Sequence, residues 1–161
     1  MEIEKRMIKI LFVCHGNICR SPMAQFVMQY IVDQNGLSDQ FMIDSAATSC
    51  EEIGNDVHYG TKRKLTEMNI PYSYHASRQL TKLDYDLYDF IIGMDNANMY
   101  NMKRILGCDD KCSTLLSYAN STKNIADPWY TGNFEATFED VNQGCRALLD
   151  YLEGEGYVKK V

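Results

Sequence analysis

Met7 to Val13 is an almost unbroken apolar run, rich in β-branched residues, too short for a helix and bounded by the turn signal Cys-His-Gly-Asn. That is the pattern of a strand buried on both faces of a parallel sheet. Ser21-Pro22 then supplies the chemistry of a helix start. Ala24, Val27, Met28, Ile31 and Val32 recur at helical spacing until Asn35-Gly36 ends the run. The alternation continues with a short strand at 41–43, a helix over about 55–68, a strand at 88–93, and a helix over about 95–106 that turns Met99, Met102 and Leu106 inward. A weaker fourth strand is expected at 113–116. After a loop at 120–133, Phe134, Phe138, Val141, Cys145, Leu148, Leu149 and Leu152 step by threes and fours along a long amphipathic helix. Strands alternating with helices predict an α/β fold of three layers, α/β/α, whose ligands sit beyond the carboxyl ends of the strands. The first such end is at Cys14.

Composition narrows the classes of function. A chain of 161 residues with 45% apolar and 24% charged residues suits one globular domain over 1–161, with no linker or repeat at which to divide it. Sixteen basic against 22 acidic residues leave a net charge of −6, which argues against nucleic acid or an acidic membrane as partner. The apolar run at 10–14 is too short for a secretory signal or a membrane span, so a cytoplasmic protein is expected. The six cysteines, at 14, 19, 50, 108, 112 and 145, lack the density of a disulfide framework, and reduced thiols are the expectation. Cys108-x3-Cys112 has zinc-like spacing but no second pair, so no metal site is expected.

The segment after the first strand carries the chemistry. Cys14-His15-Gly16-Asn17-Ile18-Cys19-Arg20-Ser21 places a thiol and a guanidinium at the two ends of a five-residue loop that runs straight into a helix. With Gly16 and Asn17 able to take left-handed dihedrals, such a loop can turn its successive N–H groups inward as an anion-binding nest, reinforced by the helix N-terminus. Arg20 would add two parallel donors suited to a tetrahedral oxyanion, and a thiol at the base of that field is expected to ionise readily and act as a nucleophile. Ser21 is placed either to donate to the sulfur or to cap the helix. Phosphate transfer from an aryl ester to a thiolate also needs a general acid at the leaving oxygen and then a base for water. One carboxylate can serve both steps, and Asp127 in Asp-Pro-Trp-Tyr is the candidate.

The stretches VCHGNICRSPMAQ (13–25), IDSAATS (43–49), HASRQL (75–80), FIIGMDNAN (90–98) and ADPWY (126–130) resemble the low-molecular-weight protein tyrosine phosphatases, and the resemblance covers essentially the whole chain. It implies a four-stranded parallel sheet with a phosphate-binding loop after the first strand, and hydrolysis of phosphotyrosine through a phosphocysteine on Cys14 without metal or other cofactor. It further implies that backbone groups of His15, Gly16, Asn17, Ile18 and Cys19 bind phosphate with Arg20, and that Asp127 sits over the cradle. Asn17 and Ser45 would hold the loop and His75 would hydrogen-bond to Asn17. Trp129 and Tyr130 would form the substrate rim, with core packing the alternative for the tryptophan. Phosphotyrosine proteins or peptides are the implied partners, with inorganic phosphate and similar oxyanions as inhibitors.

Cys19 lies in the same loop as Cys14, so the two sulfurs could form a reversible disulfide that shelters the nucleophile; the alternative is a small apolar residue packing the loop. The chain departs from animal members at His15, often aliphatic there, and at Glu51, which falls roughly where those members place an aromatic wall, so the pocket mouth should be more polar and acidic. Lys62-Arg63-Lys64 reads as a solvated helix face, and His58 has no assigned role. Two other functions compete: a thiol-dependent arsenate reductase and a noncatalytic phosphoprotein-binding module. The reductase needs further cysteines just after the third strand, and 93–100 contains none; the module would not need Asp127.

Overall fold

The computed structural model describes residues 7–159; the rest of the domain expected over 1–161, residues 1–6 and 160–161, lies outside the described residues. The chain runs β1 (Ile8–Cys14), α1 (Arg20–Gln34), β2 (Phe41–Ala47), α2 (Tyr59–Glu67), α3 (Lys82–Leu87), β3 (Phe90–Gly93), α4 (Asn96–Leu106), β4 (Cys112–Thr114), α5 (Pro128–Thr131) and α6 (Phe134–Gly154). The four strands form one sheet in the order β2-β1-β3-β4, with all pairings parallel.

β1 is central and its residues alternate between two cores. Ile10 and Phe12 face α1 and α6, together with Val27, Met28, Ile31, Val141, Leu148 and Leu152. Leu11 and Val13 face the other side, with Ile91, Leu80, Met102 and Leu106 from β3, the α3 approach and α4. This explains the apolar run: apart from partly buried Lys9, neither face of β1 meets water. Because α1 leaves β1 on one face and α4 leaves β3 on the other, the loops after these neighbouring strands diverge and open a crevice at the carboxyl end of the sheet.

The differences from the sequence expectation have local causes. β2 extends four residues beyond 43, because Ser45 pairs with Phe12 and is fully buried although it breaks the apolar pattern. β4 ends at Thr114, and Leu115 starts a short 3-10 helix, Leu115–Ala119. α2 begins only at Tyr59, where His58 Nδ1 accepts from Gly60 N. α3 was not expected; it is started by the capping box of Thr81 and Asp84, whose side chain accepts from Thr81 N at 2.8 Å. α1 starts at Arg20, with Cys19 in the cap position, so Ser21 lies inside the first turn rather than capping it. Among the described residues, no helix is long and apolar enough to cross a membrane.

α6 packs against α1 and the Leu115–Ala119 turn, and this approach requires a glycine: a Cβ at Gly144 would lie 2.5 Å from Leu115 Cγ. Gly144→Ala is therefore expected to lower the urea midpoint, because overpacking of about 1–3 kcal/mol exceeds the gain of up to about 1 kcal/mol in helix propensity. A raised midpoint would show that the turn moves aside freely.

Candidate active site

The loop from Cys14 to Arg20 is held from outside by its carbonyls. Thr48 N donates to Cys14 O (2.9 Å), Ser49 N to His15 O (3.0 Å), Ser77 Oγ to Gly16 O (2.9 Å), His58 N to Ile18 O (2.8 Å) and Thr61 Oγ1 to Cys19 O (3.1 Å). With the carbonyls engaged outward, the amides are left to the inside of the turn. Asn17 N and Ser21 N point at Cys14 Sγ, at 3.3 and 3.4 Å. The reversal is made at Asn17, whose φ is 57°; Gly16 does not take a left-handed conformation, contrary to expectation, and a Cβ there would make only ordinary contacts with Glu52 and Ile18.

Asn17 is fully buried and its side chain ties four segments together. Nδ2 donates to Ser21 Oγ (2.8 Å) and to Ser45 Oγ (2.9 Å), while Oδ1 accepts from Arg78 N (3.3 Å) and His75 Nε2 (3.0 Å). Since Arg78 N–H fixes which atom is Oδ1, His75 carries a proton on Nε2. Ser45 passes its hydrogen to Gln25 Oε1 at 2.6 Å. Ser21 Oγ, already accepting from Asn17, has its hydrogen left for Cys14 Sγ at 3.1 Å. Of the two roles open to Ser21, the structure gives it the one at the sulfur. Three donors thus converge on Sγ, an arrangement suited to a thiolate.

Arg20 is 2% exposed. Its Nη1 donates to Asp95 Oδ2 (2.6 Å) and to Ile125 O (2.9 Å), and Nη2 lies 3.5 Å from Asp127 Oδ2. Nε has no partner, the one buried polar side-chain atom of the described residues in that condition. Burial would lower the Arg20 pKa, but the Cys14 sulfur, Asp95 and Asp127 outweigh it and raise it further, so the guanidinium stays charged. Asp127 caps α5, its Oδ1 accepting from Trp129 N at 3.1 Å, and its segment is pinned by Thr137 Oγ1 to Ala126 O (3.2 Å) and Ile125 N to Met94 O (2.9 Å). Cys14, Gly16, Ile18 and Cys19 line the floor of one pocket with Asp127, Trp129 and Tyr130. Trp129 is 55% exposed and Tyr130 80%, which places both on the rim and not in the core. His15 pairs with Glu51 at 3.0 Å, and Glu51 and Glu52 line the same pocket. Cys19 is buried, and burial followed by the neighbouring charge of Cys14 pushes its thiol up to about 12.

Three contributors escaped sequence reasoning. Asp95 sits at the end of β3 and caps α4, and only the β1–β3 pairing brings it to Arg20; its position after a strand was the available signal. Gln25 was hidden in the helix pattern. His58 stacks on Phe134 (5.3 Å between centroids) and Tyr59 (4.4 Å) and meets the edge of Trp129 (5.7 Å), which props the rim. Cys112 starts β4, two strands from β1 and level, through Ile91, with Leu11 and not with Cys14, and neither it nor nearby Cys108 lines this pocket.

The sequence model of the family described as low molecular weight phosphotyrosine protein phosphatase matches residues 9–158. A low molecular weight protein-tyrosine-phosphatase, PtpA, of Staphylococcus epidermidis is 38% identical over 156 residues, covering 96% of this chain and 99% of the relative. The human low molecular weight phosphotyrosine protein phosphatase is 37% identical over 154 residues, covering 91% and 97%. The crystal structure of YfkJ from Bacillus subtilis superposes with a TM-score of 0.89 at 36% identity, covering 93% of this chain and 97% of that one.

Burial holds His75 below its ordinary 6.5; the Asp44 carboxylate, 3.8 Å from Nδ1, opposes this without cancelling it. His58 is lowered by burial too, against the charges of Glu52 and Asp127. The unfolded chain therefore binds more protons than the folded one just below the ordinary histidine pKa, so stability is whole above it and is lost as pH falls toward the folded values. The urea midpoint is expected to drop between about pH 7.5 and 5.5, and His75→Gln to flatten that dependence. An unchanged slope in the variant would show that His75 titrates as in the unfolded chain.

Proposed function

Since the chain belongs to the low molecular weight phosphotyrosine protein phosphatase family, an enzyme family of hydrolases, we propose that it is a single phosphatase domain that removes phosphate from phosphotyrosine through a phosphocysteine on Cys14. The observation that carries this reading is the unpartnered Nε of buried Arg20 beside a sulfur held by three donors. A buried guanidinium with one saturated corner and one open edge is a receptor for an oxyanion.

In the proposed reaction the Nε edge of Arg20 and the inward amides of residues 15–20 hold the non-bridging phosphoryl oxygens as charge redistributes in transfer. Cys14 Sγ attacks phosphorus, the P–O bond to the tyrosine breaks, and Asp127 gives its proton to the leaving phenoxide. Asp127, now a carboxylate, takes a proton from water as that water attacks phosphorus and the P–S bond breaks, releasing inorganic phosphate and the Cys14 thiolate. Trp129 and Tyr130 flank the phenyl ring at the rim. Asn17, Ser21, Ser45 and His75 keep the loop in shape, and inorganic phosphate or a similar oxyanion competes for the same cradle. The chain's relatives carry phosphatase names, and with no cysteine at 93–100 the arsenate-reductase reading has no support; a cytoplasmic site of action is part of the proposal.

We also infer a redox role for Cys19. Peroxide would oxidise the Cys14 thiolate to a sulfenic acid, and the Cys19 thiol would displace water from it to form a disulfide, which a cellular dithiol would reverse.

With EDTA present, the wild type is expected to hydrolyse para-nitrophenyl phosphate and Cys14→Ser to be inactive. Asp127→Ala should lose about 10²–10⁴-fold in kcat on a phosphotyrosine peptide and less on para-nitrophenyl phosphate, whose leaving group needs the proton less. Equal losses on both would remove Asp127 from the role of acid. After peroxide treatment, peptide mapping should find Cys14 joined to Cys19; Cys19 still alkylatable while Cys14 is oxidised would overturn the redox role.

A further inference from the structure

The pocket mouth carries two unlike kinds of side chain. Its lining joins two carboxylates, Glu51, with its side chain 67% exposed, and Glu52, to two exposed rings, Trp129 and Tyr130. No lysine or arginine is among the residues lining this mouth. The nearby cations are engaged elsewhere: Lys62 Nζ pairs with Asp56 at 2.5 Å and Arg63 with Glu67 at 3.6 Å. The possible counter-charges here are imidazoles, which count only when protonated: His15 on Glu51, and His58, which feels the charge of Glu52. The negative charge of Glu52 is also felt inside the cradle, where it adds to the rise in the Cys19 pKa. The attraction for the phosphoryl group is therefore confined to the loop amides and Arg20, and the surroundings of the opening are acidic and aromatic.

Both kinds of side chain favour cations. Carboxylates attract Lys and Arg directly, and exposed indole and phenol faces take them through the ring quadrupole. A phosphotyrosine seated in the cradle fixes the rest of its peptide above the mouth. With about 3.3–3.6 Å per extended residue, the two residues on each side lie within reach of Glu51, Glu52 and the rim. An acidic flank there meets two carboxylates, whereas a basic flank finds partners among both the carboxylates and the rings.

We propose that this mouth selects phosphotyrosine segments with Lys or Arg within two residues of the tyrosine and discriminates against acidic flanks. The inference rests on the phosphatase reading above and names its substrate class. Glu51 and Glu52 act on the flanking residues and take no part in bond making.

The test compares two synthetic phosphotyrosine pentapeptides, one flanked by Lys and one by Glu, at about pH 7.5, above the ordinary histidine range. Each kcat/KM is divided by the same protein's value on para-nitrophenyl phosphate, so that a general loss cancels. At low salt the Lys peptide should exceed the Glu peptide by about five- to twentyfold, the product of two exposed charge pairs. The ratio should shrink as salt is raised and fall below about threefold in the Glu51→Gln, Glu52→Gln double variant. A ratio near one, a preference for the Glu peptide, or a preference untouched by the double variant overturns the inference while leaving the phosphatase intact. Turnover of para-nitrophenyl phosphate with no turnover of either peptide overturns it too. Failure to hydrolyse para-nitrophenyl phosphate at all defeats the phosphatase reading itself.

Discussion

The amide of Asn17, buried in a left-handed turn, is the constraint on which the cradle depends. Its two N–H bonds fix Ser21 and Ser45, and its carbonyl oxygen is fixed by Arg78 N and His75. An aspartate would lose both donors, and a larger amide would not fit a site with no exposed surface. A left-handed backbone is also tolerated better by asparagine than by most residues that carry a side chain. One side chain thus shapes the loop, aims Ser21 at the sulfur and ties β1 to β2. None of these contacts touches the space above Cys14, so the whole network acts through position.

A second constraint comes from Arg20. Asp95 and Ile125 O saturate one corner of the guanidinium, while Asp127 stays at 3.5 Å, close enough to feel the charge and free enough to turn to something else. A buried donor left without a partner costs about 1–3 kcal/mol, and an oxyanion that supplies the acceptor returns it. Asp95 and Asp127 balance the cation, so in the proposed reaction a phosphoryl group would meet an arginine already oriented.

Much of this was legible in the sequence because it is local. The cradle lies within eight consecutive residues, and the helix stripes of α1 and α6 follow a period that burial enforces. What could not be read depends on neighbours brought from elsewhere. Ser45 continues a buried strand because Phe12 pairs with it, and Asp95 meets an arginine 75 positions away because β1 and β3 are adjacent. The helix at Lys82–Leu87 shows no apolar stripe, since its start is fixed by a capping box, and the role of His58 arises from rings of α2, α6 and the Trp129 loop meeting in space. Family resemblance supplied His75 and Ser45, which spacing alone would not have picked out.

The crevice between the loops after β1 and β3 is made by the winding of the chain, with α1 leaving on one face of the sheet and α4 on the other. It does not depend on which side chains occupy it. Concavity is therefore inherited from topology, and reactivity is added by a few substituents at its edge. A chain of this architecture stripped of its sulfur would keep its receptor for oxyanions. If the proposed chemistry holds, such a variant would hold a phosphorylated partner without releasing it as product, and the proteins caught on it would identify the substrates of the intact enzyme.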